Sequence, residues 1–155
     1  MDFTFVSAIF QGVTALAIVV TAWQLLYHAR QMHRDLEMEY VRQYWTIMSR
    51  ASDEWLESFF ESEPPTKSDY RVLLDYLHLC EDEIELRANG RVTDNTWAIW
   101  VAAISQMVQQ PGVKKVIDEL PVGKARGLRT LMAQLEPEKY DPLKKSKFWR
   151  RFHGL

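Results

Sequence analysis

FTFVSAIFQGVTALAIVVTAWQLLY, residues Phe3–Tyr27, carries no charged side chain and gives way at once to the basic run HARQMHR, His28–Arg34. At about 1.5 Å per residue it would form a helix of roughly 37 Å, enough to cross the ~30 Å hydrocarbon core of a bilayer with some tilt. A signal peptide starts basic, has a shorter apolar core and ends at a small-x-small cleavage site. Here the start is acidic, at Asp2, and Trp23, Gln24 and Tyr27 occupy the region where cleavage would fall. A buried core helix is the other reading, but nothing else in the 155 residues looks large enough to enclose it. Residues 1–28 are therefore expected to form a transmembrane anchor.

The flanks predict its orientation. Only Asp2 and the amino terminus precede the span, whereas His28, Arg30, His33 and Arg34 follow it. Lys and Arg are retained on the cytoplasmic side, so a single pass with the N-terminus outside and the bulk of the chain in the cytoplasm is expected. Trp23 and Tyr27 fall where an interfacial aromatic belt would lie. One cysteine, Cys80, rules out an intrachain disulfide framework and agrees with a reducing compartment.

Beyond the anchor the expected class is all-α: the span continues into a small cytoplasmic helical bundle. No Pro or Gly occurs between Gly12 and Pro64, so one helix is expected from about Phe3 to Ser62, crossing the membrane and continuing as a stalk. In the stalk Val41, Tyr44, Trp45, Met48, Trp55, Phe59 and Phe60 recur at helical spacing. Pro64-Pro65 ends it. Ser68 is the expected N-cap of a second helix through Ala88, closed by Asn89-Gly90 as a left-handed cap. Thr93 caps a third helix with Trp97, Trp100, Val101, Ile104 and Val108 as its apolar stripe, ended by Pro111-Gly112. A short fourth helix runs to about Leu120, and GKARGLRTLMAQLE, Gly123–Glu136, supplies a fifth. Pro137 and Pro142 bracket a loose linker. The expected units are the anchor, 1–28; the helical domain with its stalk, 29–137; and a basic aromatic tail, 138–155.

Charge is unevenly divided. Asp53–Arg87 holds eleven acidic and three basic residues, a net of −8, and Arg91–Arg151 holds twelve basic and six acidic, a net of +6. An anionic ligand or lipid would favour the C-terminal half.

Within the span, Ser7, Gln11, Thr14, Ile18, Thr21, Leu25 and His28 follow a 4-3 spacing and line one face. Ala8, Gly12, Ala15, Val19 and Ala22 form a second, mostly small, face. Polar groups facing lipid are costly and small residues let helices approach, so self-association with the stripe Ser7, Gln11, Thr14 and Thr21 inward is expected. The competing reading is that Ser and Thr bond back to their own helix and Gln24 reaches the interface.

No catalytic motif stands out, and no enzyme activity, metal or cofactor is expected. Asp75, His78 and Asp82 share a helix face at metal-ligand spacing, but a dinuclear bundle needs a second copy on a facing helix plus further carboxylates, and the sequence has no second copy. Cys80 falls among Tyr76, Leu77 and Ile84 as a small core residue. Ser105 has no His and Asp partners by spacing. In PVGKARGLR, Gly123 and Gly127 bracket Lys124 and Arg126 at a helix start, with Arg129 a turn on and Lys114 and Lys115 near in sequence. Free N–H groups, a helix dipole and basic side chains suit a phosphate. The tail KKSKFWRRFHGL mixes Lys144, Lys145, Lys147, Arg150 and Arg151 with Phe148, Trp149 and Phe152, which suits an anionic membrane surface better than nucleic acid in a chain already tethered. Trp97 and Trp100 are expected in the core rather than stacked on a nucleobase.

The plan of one span, a helical domain and YLHLCEDEIELRANGRVTDNTWAIW, Tyr76–Trp100, resembles small membrane-anchored helical proteins of bacteria. More specifically it is similar in architecture to the ancillary membrane effector of some type III CRISPR systems. That resemblance implies a ligand-gated defence effector in the inner membrane, a homo-oligomer with a tetramer favoured, which binds cyclic tetra-adenylate and perturbs the bilayer. It carries no site residue over by position. The expected partners are thus a cyclic oligonucleotide, the lipid bilayer and further copies of the chain, and not a DNA duplex. The alternative is a non-enzymatic membrane-tethered scaffold that recruits a protein through the acidic helix Ser68–Ala88.

Overall fold

The computed structural model describes residues 3–57, 66–121, 123–153 and 155, the side chains of 3–10, 29, 30, 151 and 152 excepted. Among the described residues the fold is all-α. Helix α1, Phe3–Met48, runs unbroken for 46 residues. Its N-terminal part is long and apolar enough to cross a membrane. Val13, Leu16, Ile18, Val19 and Leu25 are all at least 60% exposed, so this is not a core helix of its own chain.

The helix expected to reach Ser62 stops at Met48 and tightens into a turn, Arg50 N–H bonding Ile47 and Ala51 N–H bonding Met48. The short α2, Asp53–Glu57, then buries Trp55. Phe59, Phe60 and Pro64-Pro65 lie outside the described residues.

Helix α3, Lys67–Ala88, returns antiparallel along α1. Its N-cap is Thr66, not Ser68: the Thr66 hydroxyl accepts from Asp69 N–H, and Asp69 in turn accepts from Thr66 Oγ1 and Ser52 N–H. These two bonds hold Asp69 below the usual carboxylate range. Contacts then run in register toward the span: Arg50 on Asp75 at 2.8 Å, Tyr44 against Tyr76 with centroids 5.6 Å apart, and His33 Nδ1 donating to the Arg91 carbonyl at 2.8 Å. Gly90, at φ +68°, supplies the left-handed cap that ends α3.

Helix α4, Asp94–Val108, starts at the Thr93 cap, whose own N–H bonds Glu37 of the stalk at 2.7 Å. Pro111 opens α5, Pro111–Glu119, at the position where a missing N–H is harmless, rather than merely ending α4. Helix α6 covers Arg126–Met132, about half the length expected of the fifth helix. Leu73, Leu77, Cys80, Ile104, Ile117, Leu128 and Leu131 are fully buried between these helices. A 3-10 turn, Pro137–Lys139, and helix α7, Lys147–Phe152, complete the chain.

The linker between Pro137 and Pro142 is not loose. Trp97 Nε1 donates to the Tyr140 carbonyl, Leu143 is buried, and Asp141 is locked to Arg87. The packed domain therefore extends past the boundary expected at residue 137.

Candidate functional site

The free N–H groups at the start of α6 are taken by a carboxylate of the chain itself. Ala125, the residue before α6, has a left-handed backbone at φ +55° and gives the helix no side-chain cap. Glu81 of α3 fills the gap: its carboxylate accepts from Gly127 N–H at 2.6 Å and from Leu128 N–H at 3.0 Å. Gly127 permits this approach, since a Cβ there would lie 2.9 Å from Ile84 Cγ2.

Arg129 is also engaged within the fold. Its guanidinium donates to the carbonyls of Ile117 at 2.5 Å and Leu120 at 2.8 Å, capping the C-terminal end of α5. This corrects its expected place as a ligand contact. Lys124 and Arg126 stay exposed on the turn, and Lys114 and Lys115 are exposed on α5.

A second charged cluster was not anticipated. Arg87, 1% exposed, donates to Asp141 through Nε and Nη2, to Asp94 through Nη2, and to the Val92 carbonyl through Nη1. Arg150 joins it, at 2.7 Å from Asp141 and 3.2 Å from Asp94. Burial alone would push the Asp141 carboxyl up, but the bonds from Arg87, Leu143 N–H and Arg150 hold it below its ordinary value. Two arginines and two aspartates thus tie α3, α4, the linker and α7 into one unit.

The tail docks through this network. Trp149 lies over Gly90, its ring 3.4 Å from where a Cβ would stand, and stacks on His153 with centroids 3.9 Å apart. Lys144, Lys145, Lys147 and Phe148 remain exposed. Trp149 and His153 share an open cleft with Leu26, Met32, His33 and Leu36 of α1.

Of the polar stripe in the span, Gln11 is exposed, and Thr21 donates back to the Ala17 carbonyl at 2.8 Å. That bond belongs to the competing reading and leaves Thr21 less need of a partner helix. Thr14 is exposed, and Ser7 lies among the undescribed side chains.

Asp75 is paired with Arg50, while His78 and Asp82 point to solvent. Among the described residues no three His, Cys, Asp or Glu side chains are grouped to hold a metal. Cys80 is buried, and burial pushes its thiol well up; Ser105 is buried and donates to the Val101 carbonyl. Trp97 is core, Trp100 half-buried.

The residues that sequence reasoning missed line the stalk–domain junction: His33, Glu37, Tyr40 and, from α3, Glu83. Their 4-3 spacing with Tyr44 along α1 was the available signal. Compared with protein-family models, curated proteins and solved structures, the chain finds no match in any of the three.

Proposed function

We propose that this chain is a single-pass, non-catalytic membrane effector whose cytoplasmic domain is geared to its span. The observation that carries the reading is the continuity of α1: the helix that is apolar enough to cross a bilayer runs without a break into the surface on which α3 and α4 pack. A rigid helix transmits a rotation or shift of the domain to the span, provided the stimulus favours one arrangement over another. The spans would self-associate through Gln11 and its neighbours on the stripe, with the N-terminus outside.

The stimulus in this reading is an anionic second messenger of the cyclic oligonucleotide type. Exposed Lys114, Lys115, Lys124 and Arg126 supply cations for it on the outer edge of α5 and the following turn, and several copies around an axis would multiply them. The scaffold alternative is weakened because two carboxylates of the acidic helix turn inward, Glu81 onto α6 and Glu83 into the fold, leaving Asp82 and Glu85 at its surface.

The test is dye release from vesicles carrying the full chain, with cyclic tetra-adenylate and its linear counterpart as probes. Release with the cyclic form alone is expected, lost in Gln31→Pro while ligand binding persists, because proline breaks the helix between span and domain. Unchanged release in Gln31→Pro would contradict the lever. Binding unaffected by Lys124→Glu with Arg126→Glu would remove the assigned contacts.

A further inference from the structure

Between stalk and domain lies a cavity of about 170 Å³ lined by Tyr40, Tyr44, Tyr76, Glu83, Trp100 and Ile104. Tyr40 and Trp100 have centroids 6.0 Å apart with planes tilted by 38°, and Tyr44 meets Tyr76 at 65°, so the rings present differing orientations to the space. Glu83 is 7% exposed and has no hydrogen-bond or ion-pair partner among the described residues. Its carboxyl oxygens are not sealed in the core but open onto the cavity, where the chain itself supplies them no cation. The titratable groups around it are Asp82, Cys80, Tyr40, Tyr44 and Tyr76, none of them a cation.

We propose that this cavity binds a small organic ammonium ion, held by the Glu83 carboxylate and the rings of Tyr40, Tyr44 and Trp100. A cation within about 6 Å of an aromatic centroid is attracted by the ring's negative face, the more strongly when water is excluded. A metal ion would have to surrender a hydration shell that aromatic walls cannot replace, whereas an alkylammonium ion sheds little. An anion is refused by the carboxylate. The occupant would touch α1, α3 and α4 at once. The inference stands whether or not the stalk works as a lever.

In the empty cavity burial, aided by Asp82, raises the Glu83 carboxyl to about 8, so it is largely protonated at neutral pH. Binding a cation expels that proton. Affinity therefore climbs with pH, up to about tenfold per unit below pH 8, and levels off above it.

The experiment titrates the full chain with choline and with its neutral isostere 3,3-dimethyl-1-butanol, by calorimetry in two buffers so that released protons are counted. Choline is expected to bind at least about tenfold tighter than the alcohol, a difference of roughly 1.4 kcal/mol, with a proton released. Glu83→Gln, which keeps the side chain's shape, should abolish both the release and the pH slope. Trp100→Leu should weaken choline yet keep the slope. Equal binding of the two probes, choline binding unchanged in Glu83→Gln, or no choline binding between about pH 6 and 9 would each overturn the assignment.

Discussion

The Glu81 carboxylate sits 2.6 Å from the Gly127 nitrogen, across the interface between α3 and α6. It does for α6 what an N-cap side chain does locally, from 46 residues away in sequence. Ionic bonds to two otherwise unpaired N–H groups contribute about 1.5–3 kcal/mol each at most. Glu81→Gln is therefore expected to lower stability by about 1–2 kcal/mol, since the amide can accept at one atom only. Gly127→Ala should cost about 1–3 kcal/mol by pressing on Ile84, and Ala125→Gly should gain about 1 kcal/mol by relieving a left-handed alanine. Urea unfolding of the three variants in one detergent checks all of these; an unaltered Glu81→Gln midpoint would deny the cap.

Glu83 makes stability depend on pH in a defined direction. Its carboxyl ionises near 8 when folded and near 4.5 when unfolded. The folded state holds more protons between these values, so stability falls as pH rises through that window, by up to about 5 kcal/mol. Asp69 and Asp141 act oppositely: both are held below 3.8, so their contribution is present above that value and lost as acid protonates them. Maximum stability near pH 5 is expected, and Glu83→Gln should flatten the fall on the alkaline side. A slope retained in that variant would mean another group titrates.

The Arg87 cluster is where a single change should do most harm. Removing the guanidinium leaves Asp141 and Asp94 facing each other with Arg150 alone between them. Arg87→Met is expected to cost about 3 kcal/mol, at the lower end for a broken buried pair because both aspartates retain some solvent. Hydrogen exchange should show protection lost together in 137–143 and in α7. Loss confined to α3 would deny that the cluster joins the tail to the domain.

The docked tail leads to a prediction about lipid. If α1 crosses the bilayer to Tyr27, the cleft that Trp149 and His153 share with Leu26 opens into the headgroup layer, about 5–8 Å deep on each side. Phe148, 82% exposed, shares the tail with exposed Lys144, Lys145 and Lys147. A fluorophore at Phe148→Cys should be quenched by lipid-borne quenchers in vesicles containing phosphatidylglycerol, and one at Lys67→Cys, at the far end of α3, should not. Salt should reduce the effect. Equal quenching at both sites would contradict this placement.

Sequence carried the class and most helix boundaries because those rest on local chemistry. Thr93 capping and Gly90 in the left-handed region are readable one residue at a time, whereas Pro111, read as a helix stop, in fact opens α5. The end of the stalk was not, since no Pro or Gly marks it: the turn after Met48 is fixed by Asp69 accepting Ser52 N–H, a contact 17 residues away. Thr66 rather than Ser68 caps α3 because Thr66-x-x-Asp69 lets the two side chains and the Asp69 N–H bond one another. The anion site was legible as backbone N–H groups with a glycine, but its occupant, Glu81, lies on another helix. Arg129 and Arg87 read as charges; only the folded chain shows that they cap carbonyls and pair with aspartates.

The measurement that bears most directly on the account is a nitroxide scan of α1 from Val20 to Arg42 in bilayers, reading collisions with oxygen and with a water-soluble nickel chelate. Oxygen access is expected to decline near Tyr27, and a period of about 3.6 residues to continue unbroken through His28–Leu36 into the face covered by α3 and α4. A loss of period between His28 and Met32, or chelate access along the whole stretch before Tyr27, would contradict a span geared to its domain.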